Sequence, residues 1–120
     1  MKRRLALVTA AVLLAGCATQ QAKYDWGQHD QKLYAYYKAP ANLLEFSDAL
    51  SAIVKAAETK HTRVPPGVYA EYGYLPLQAG KTKEAADLFG LEAAHWPESK
   101  VFMDRMAAVA LGGSSSAPTK

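Results

Sequence analysis

Cysteine is almost missing from this chain. Cys17 is the single one in 120 residues, so no disulfide can form within the chain and a thiolate metal cluster or dithiol redox centre is excluded. Long apolar runs are missing too, because residues 5–14 fall short of the ~20 needed to span a membrane as a helix. Histidine is scarce: His29, His61 and His95 lie far apart, with no ligand pair at helical spacing and no metalloprotease motif. No serine stands in a nucleophile-elbow setting, and no glycine-rich phosphate loop occurs. An excess of one charge is confined to the N-terminus. The 14 basic residues less Lys2, Arg3 and Arg4 leave eleven, which balance the 11 acidic ones. The remainder carries no basic footprint for nucleic acid or an anionic membrane.

What is present begins with a targeting pattern. Met1-Lys2-Arg3-Arg4 followed by the short apolar run of residues 5–14 is an n-region and an h-region. It leads into Leu14-Ala15-Gly16-Cys17, which resembles the lipobox of bacterial lipoproteins. The resemblance implies a signal peptide over residues 1–16, lipid transfer to the Cys17 sulfur, cleavage before Cys17 and acylation of the freed amine. Ala15 and Gly16 are small enough for the peptidase pocket. Two or more acyl chains anchor stably where one does not, so this covalent lipid needs no help from the protein surface and is the only non-protein group expected. Ala18 stands where an Asp would favour retention in the inner membrane, which implies the outer membrane and its periplasmic face. Residues 17–23 read as a lipidated tether.

Residues 24–111 read as one small all-α domain of about five short helices, and residues 112–120 as a disordered tail. Tyr24-Asp25-Trp26-Gly27 can fold back onto the helices as an anchor, the reading that large aromatics favour, or form an exposed docking patch. Residues 30–38 carry Leu33, Tyr34, Tyr36 and Tyr37 at helical spacing, a pattern that more often marks core than a tyrosine-rich binding surface, and the helix should end before Pro40. Asn42 three positions before Glu45 predicts a capping box. It opens a helix whose stripe is Leu43, Phe46, Leu50, Ile53 and Ala57.

The centre of the chain is a helical hairpin. Pro65 and Pro66 suit a helix start, Gly80 a left-handed stop, Thr82 a second cap and Pro97 a second stop. Tyr69, Tyr72 and Gly73 fall on one face of the first helix, and Ala85, Leu88, Phe89, Ala93 and Trp96 on one side of the second. Tyr69, Gly73, Gly80, Ala85, Phe89 and Pro97 resemble the consensus of a tetratricopeptide repeat. Pro76 and Glu92 depart from it, and Pro76 should loosen the first helix near Tyr72. Ser99 predicts a cap for a last helix in which Val101, Phe102, Met103, Met106 and Val109 close the hairpin's open end.

Two function classes follow. In the first, the chain is a non-catalytic protein-interaction adaptor. Ala70, Tyr74, Leu77 and Gln78 share a stripe of the first core helix, and in tetratricopeptide repeats the corresponding stripe lines a ligand groove. Tyr74, Leu77 and Gln78 are therefore the expected partner contacts, unless the upstream helix pair packs on this stripe and makes it core. In the second, the chain is a cell-wall polymer hydrolase using Glu71 or Glu92, although surface glutamates are more often solvated or hydrogen-bonded. The lipobox, Tyr24-Asp25-Trp26-Gly27, Tyr34-Ala35-Tyr36-Tyr37, the block from Pro65 to Tyr74 and Trp96-Pro97-Glu98-Ser99 together resemble one family of small bacterial lipoproteins. It is catalogued as domain of unknown function four thousand eight hundred and ten. Its members are often encoded beside a curli-secretion-type lipoprotein, which implies an envelope assembly or secretion-related partner. No catalytic residue comes with that resemblance.

Overall fold

The computed structural model describes residues 22–113, so Cys17, the signal segment and most of the expected tail lie outside the described residues. Five α-helices follow one another: α1 His29–Lys38, α2 Leu43–Thr59, α3 Val68–Gln78, α4 Thr82–His95 and α5 Lys100–Ala110. Short 3-10 turns, Pro40–Asn42 and Pro97–Ser99, precede α2 and α5. The described residues contain no strand. Helices α1 and α2 form one hairpin, α3 and α4 a second, and α5 packs back on α4.

Two apolar clusters hold these layers together. The first joins α2 to α3 through Phe46, Leu50, Ile53 and Ala57 on one side and Val64, Val68, Tyr69 and Leu75 on the other. The second joins α4 to α5 through Ala85, Phe89 and Ala93 against Met103 and Ala110. The α2 stripe is buried as its spacing requires, with Leu50 fully covered and Leu43 packed at its edge. Where α3 meets α4, a Cβ on Gly73 would stand 3.0 Å from both Leu88 Cβ and Phe89 Cε1. Only glycine lets the helices approach this closely without shifting those side chains.

Several helix starts differ from expectation. Pro65 and Pro66 lie in the turn before α3, and Gly67, at φ 89°, separates them from its first residue. Asn42 does not cap α2; its amide donates back to the Ala35 carbonyl at 3.1 Å. Glu45, freed from a capping box, pairs with Lys32 at 2.7 Å. Thr82 and Ser99 also make no side-chain cap, and the Ser99 hydroxyl donates to the Trp96 carbonyl at 2.8 Å. The short 3-10 turns before α2 and α5 replace the expected side-chain caps by tightening the backbone ahead of each helix. Helix α3 runs unbroken through Pro76, which forgoes only the bond its ring nitrogen cannot donate to Tyr72.

Helix ends are more regular. At the close of α3, Gly80 N–H reaches Leu77 O and Lys81 N–H reaches Pro76 O, the paired bonds of a Schellman motif. The same pairing ends α2 and α5, with His61 and Gly112 in the left-handed position. His61 carries a Cβ at φ 52°, where glycine is the residue without steric cost. His61→Gly is therefore expected to raise stability by about 0.5–1 kcal/mol, read as a higher midpoint in urea unfolding.

The outer helices bury less than their spacing predicts. On α1 only His29 is buried, Tyr36 is half-buried, and Tyr34 and Tyr37 are exposed. The reason is one-sided packing: α1 rests on the α2 hairpin arm and the edge of α3, so only a narrow stripe is covered. On α5 the covered stripe is Met103, Met106, Ala107 and Ala110. Small Ala107 and Ala110 lie along the α4 contact, whereas Val101, Phe102 and Val109 stay exposed.

Candidate functional site

The alternate helices α1, α3 and α5 border an apolar cleft of about 450 Å³. Leu33 and Tyr36 come from α1, Ala70, Glu71 and Tyr74 from α3, and Phe102, Met103 and Met106 from α5, over a floor of Phe46, Leu75 and Phe89. Three of these side chains remain available to a partner: Leu33 is 37% exposed, Tyr74 48% and Phe102 62%. Tyr36 is held in place instead, stacked on Phe46 at 5.4 Å with its hydroxyl donating to Gln78 Oε1 at 3.2 Å.

The three expected contact residues therefore separate. Tyr74 lines the cleft. Leu77 does not, being half-buried against the α4–α5 cluster, and Gln78 is engaged by Tyr36. Leu33 and Phe102 take the places that the α3 stripe alone would have assigned to Leu77 and Gln78. Their signal was the aromatic and aliphatic content of α1 and α5, whose spacing also suits core packing.

The two candidate acids are also engaged separately. Glu71 Oε2 lies 2.6 Å from His29 Nε2, and His29 Nδ1 lies 3.0 Å from Asp30 Oδ1. Burial acts to lower the His29 pKa, but hydrogen bonds and charge from Asp30 and Glu71 outweigh it, so the ring titrates above its usual value. The only sequence signal for this site was a His-Asp dipeptide at a helix start.

Glu92 is not a solvated surface residue. It is 2% exposed, and its Oε1 accepts the Gly67 N–H at 2.7 Å, so a carboxylate from α4 closes the N-terminus of α3. Among the described residues its buried Oε2 has no hydrogen-bond partner. Burial pushes the Glu92 pKa up, against the backbone amides of Gly67, Ala70 and Tyr69 and the charge of His95, which favour the ionised form.

The opposite end is sealed by aromatics. Trp96 is buried, donates its indole N–H to Val64 O at 3.3 Å, and has the Arg63 guanidinium 3.9 Å from its ring centroid. Arg63 also donates to the His95 carbonyl. Tyr24 meets Trp96 edge-on at 5.7 Å and Trp26 lies 5.3 Å from His29, so both act as anchors for the segment before α1. Asp25 pairs with Lys60 at 2.6 Å and accepts the Gly27 N–H, fixing the same segment to the end of α2.

Among the described residues no cluster of three or more His, Cys, Asp or Glu could hold a metal, and no helix is long and apolar enough to cross a membrane. Fold and site thus define a small all-helical domain built from hairpins around an open apolar cleft. Residues 23–106 match the family described as Domain of unknown function (DUF4810), and the chain belongs to that family. The match takes in the anchoring aromatics, both hairpins and α5 as far as Met106. No curated protein matches the chain. No solved structure matches it either.

Proposed function

We propose that this chain is a lipid-anchored adaptor of the bacterial outer membrane, facing the periplasm, that receives a protein partner in the cleft between α1, α3 and α5. The observation that carries the reading is the exposure of Leu33, Tyr74 and Phe102 around one apolar opening. Large aromatics covered by a partner dominate interface energies. The cleft is bordered by the first helix of each hairpin and by α5, with α2 and α4 behind, which supports a tetratricopeptide-like arrangement. Anchoring rests on the lipobox resemblance of Leu14-Ala15-Gly16-Cys17. A curli-secretion-type lipoprotein is the candidate partner, on the family's gene-neighbour resemblance. The adaptor is non-catalytic in this reading, since Glu71 and Glu92 each hold structural partners.

A photoreactive residue at Tyr74 in intact cells tests the cleft, with the same residue at exposed Lys83 on α4 as the control. A discrete product from Tyr74 alone is expected, and equal or absent products at both places would refute the reading. Labelling with a palmitate analogue tests the anchor. Wild type should incorporate it and Cys17→Ser should not.

A further inference from the structure

Helix α1 supplies Leu33 and Tyr36 to the cleft, so the firmness with which α1 is held sets one of its walls. Its polar side-chain attachments to the neighbouring helices are few. Lys32 pairs with Glu45 of α2 at 2.7 Å and Tyr36 reaches Gln78 of α3 at 3.2 Å, both contacts on the exposed side. Exposed pairs of this kind contribute little. Toward α2 the Tyr36 ring stacks on buried Phe46 at 5.4 Å and Asn42 donates to Ala35 O, whereas toward α3 the buried attachment is His29, 6% exposed and joined to Glu71 at 2.6 Å.

Both nitrogens of the His29 ring face a carboxylate, Nδ1 toward Asp30 and Nε2 toward Glu71. A neutral imidazole has one N–H, whereas the imidazolium has two and can donate to both. From the other packed elements the facing groups are the Trp26 ring at 5.3 Å and the Phe46 ring of α2 at 6.1 Å, neither of which titrates. Asp30 and Glu71 are thus the charged groups facing His29. We infer that His29 is a proton-operated latch on the cleft wall: protonated, it clamps α1 to α3 through Glu71, and loss of its proton loosens α1 and with it the partner site. This inference rests on the cleft being that site and adds its regulation.

The sign follows from linkage. The latched ring titrates above its usual value, and an opened one returns to about 6.5. The clamp is complete below that lower value and is lost as pH rises through the latched one. Asp30 is exposed and can turn away, so a neutral ring can retain one bond to Glu71; what disappears is the charge that strengthens it.

The test uses the full chain. Imidazolium quenches a neighbouring indole, so Trp26 fluorescence reports His29 protonation, with Trp26→Phe assigning the signal. Hydrogen exchange of the amides of residues 33–38, corrected for intrinsic base catalysis, reports opening of α1. Opening is expected to grow by up to about tenfold per pH unit across the Trp26 transition, while α4 amides do not change. Glu71→Gln should flatten this dependence, because an amide oxygen carries no charge and protonation of His29 then creates no ion pair between α1 and α3. His29→Gln should leave α1 open to the same extent at every pH. Wild-type opening that ignores pH, or a dependence that survives in Glu71→Gln, overturns the latch. Cross-linking at Tyr74 judges the site separately: absence of a product at all pH values removes the partner reading and leaves the exchange result standing. A yield that stays constant while α1 loosens overturns the regulatory link.

Discussion

Phe89→Ala is expected to cost about 3–5 kcal/mol, the range for emptying a large, fully buried aromatic site. Phe89 is 1% exposed and belongs to the α4–α5 cluster, and it also forms the cleft floor and packs at the Gly73 crossing of α3. Three helices converge on this ring, so collapse around the void would require all of them to move. For a small domain with about 5–15 kcal/mol in total, such a loss removes a large share of stability. Urea unfolding followed by circular dichroism measures it. Phe102→Ala is the informative contrast. At 62% exposure Phe102 contributes little to the core, so its loss should stay within about ±0.5 kcal/mol while weakening cross-linking at Tyr74. A large stability loss for Phe102→Ala would assign that side chain to the core and leave the cleft without one of its anchors.

Glu92→Ala is the second large effect, expected at about 2–4 kcal/mol from an unsatisfied part-buried donor and the cavity left behind. Gly67 N–H would lose its acceptor in a part-buried place, and α3 would lose the carboxylate at its positive end. Glu92→Gln should separate hydrogen bonding from charge. Its amide oxygen can still accept from Gly67, but it does not titrate. The raised pKa of Glu92 means that the folded protein binds the proton more tightly than the unfolded chain does. The contribution of Glu92 is therefore most favourable at low pH and declines as pH rises from the unfolded value of about 4.3 through the folded one. Wild type should lose stability over that window relative to Glu92→Gln, measured as the difference in unfolding free energy against pH. An identical pH dependence in the two proteins would show that Glu92 does not titrate differently on folding.

Local chemistry decided a good part of this protein in advance. The apolar spacing of Phe46, Leu50, Ile53 and Ala57 specified a helix with one buried face, and that face is buried. Gly80 marked a helix end because its backbone adopts the left-handed state there, and Gly73 marked the close crossing because a Cβ there would stand 3.0 Å from Leu88 and Phe89. The all-helical class follows from such signals, since helix periodicity is a property of neighbours within a few turns. Capping was less legible. Asn42, Thr82 and Ser99 have suitable side chains, yet none caps its helix: Asn42 turns to the Ala35 carbonyl and Ser99 to the Trp96 carbonyl, while the start of α3 is closed by Glu92 reaching from another helix.

Tertiary structure alone decided which aromatics are covered and which acids are free. Helices α1 and α5 stand at the two ends of the stack, so a neighbour covers one side of each; Tyr34, Tyr37, Val101 and Phe102 therefore remain exposed despite core-like spacing. Leu77 and Tyr74 share a stripe on α3, but α5 packs near Leu77 while the gap between α1 and α5 leaves Tyr74 open. Glu71 and Glu92 are the same residue type on facing helices. One meets a histidine 42 positions away and the other a backbone amide 25 positions away. Contacts at such separations depend on how whole helices pack, whereas the residue pattern of a single helix records only which of its sides could be buried.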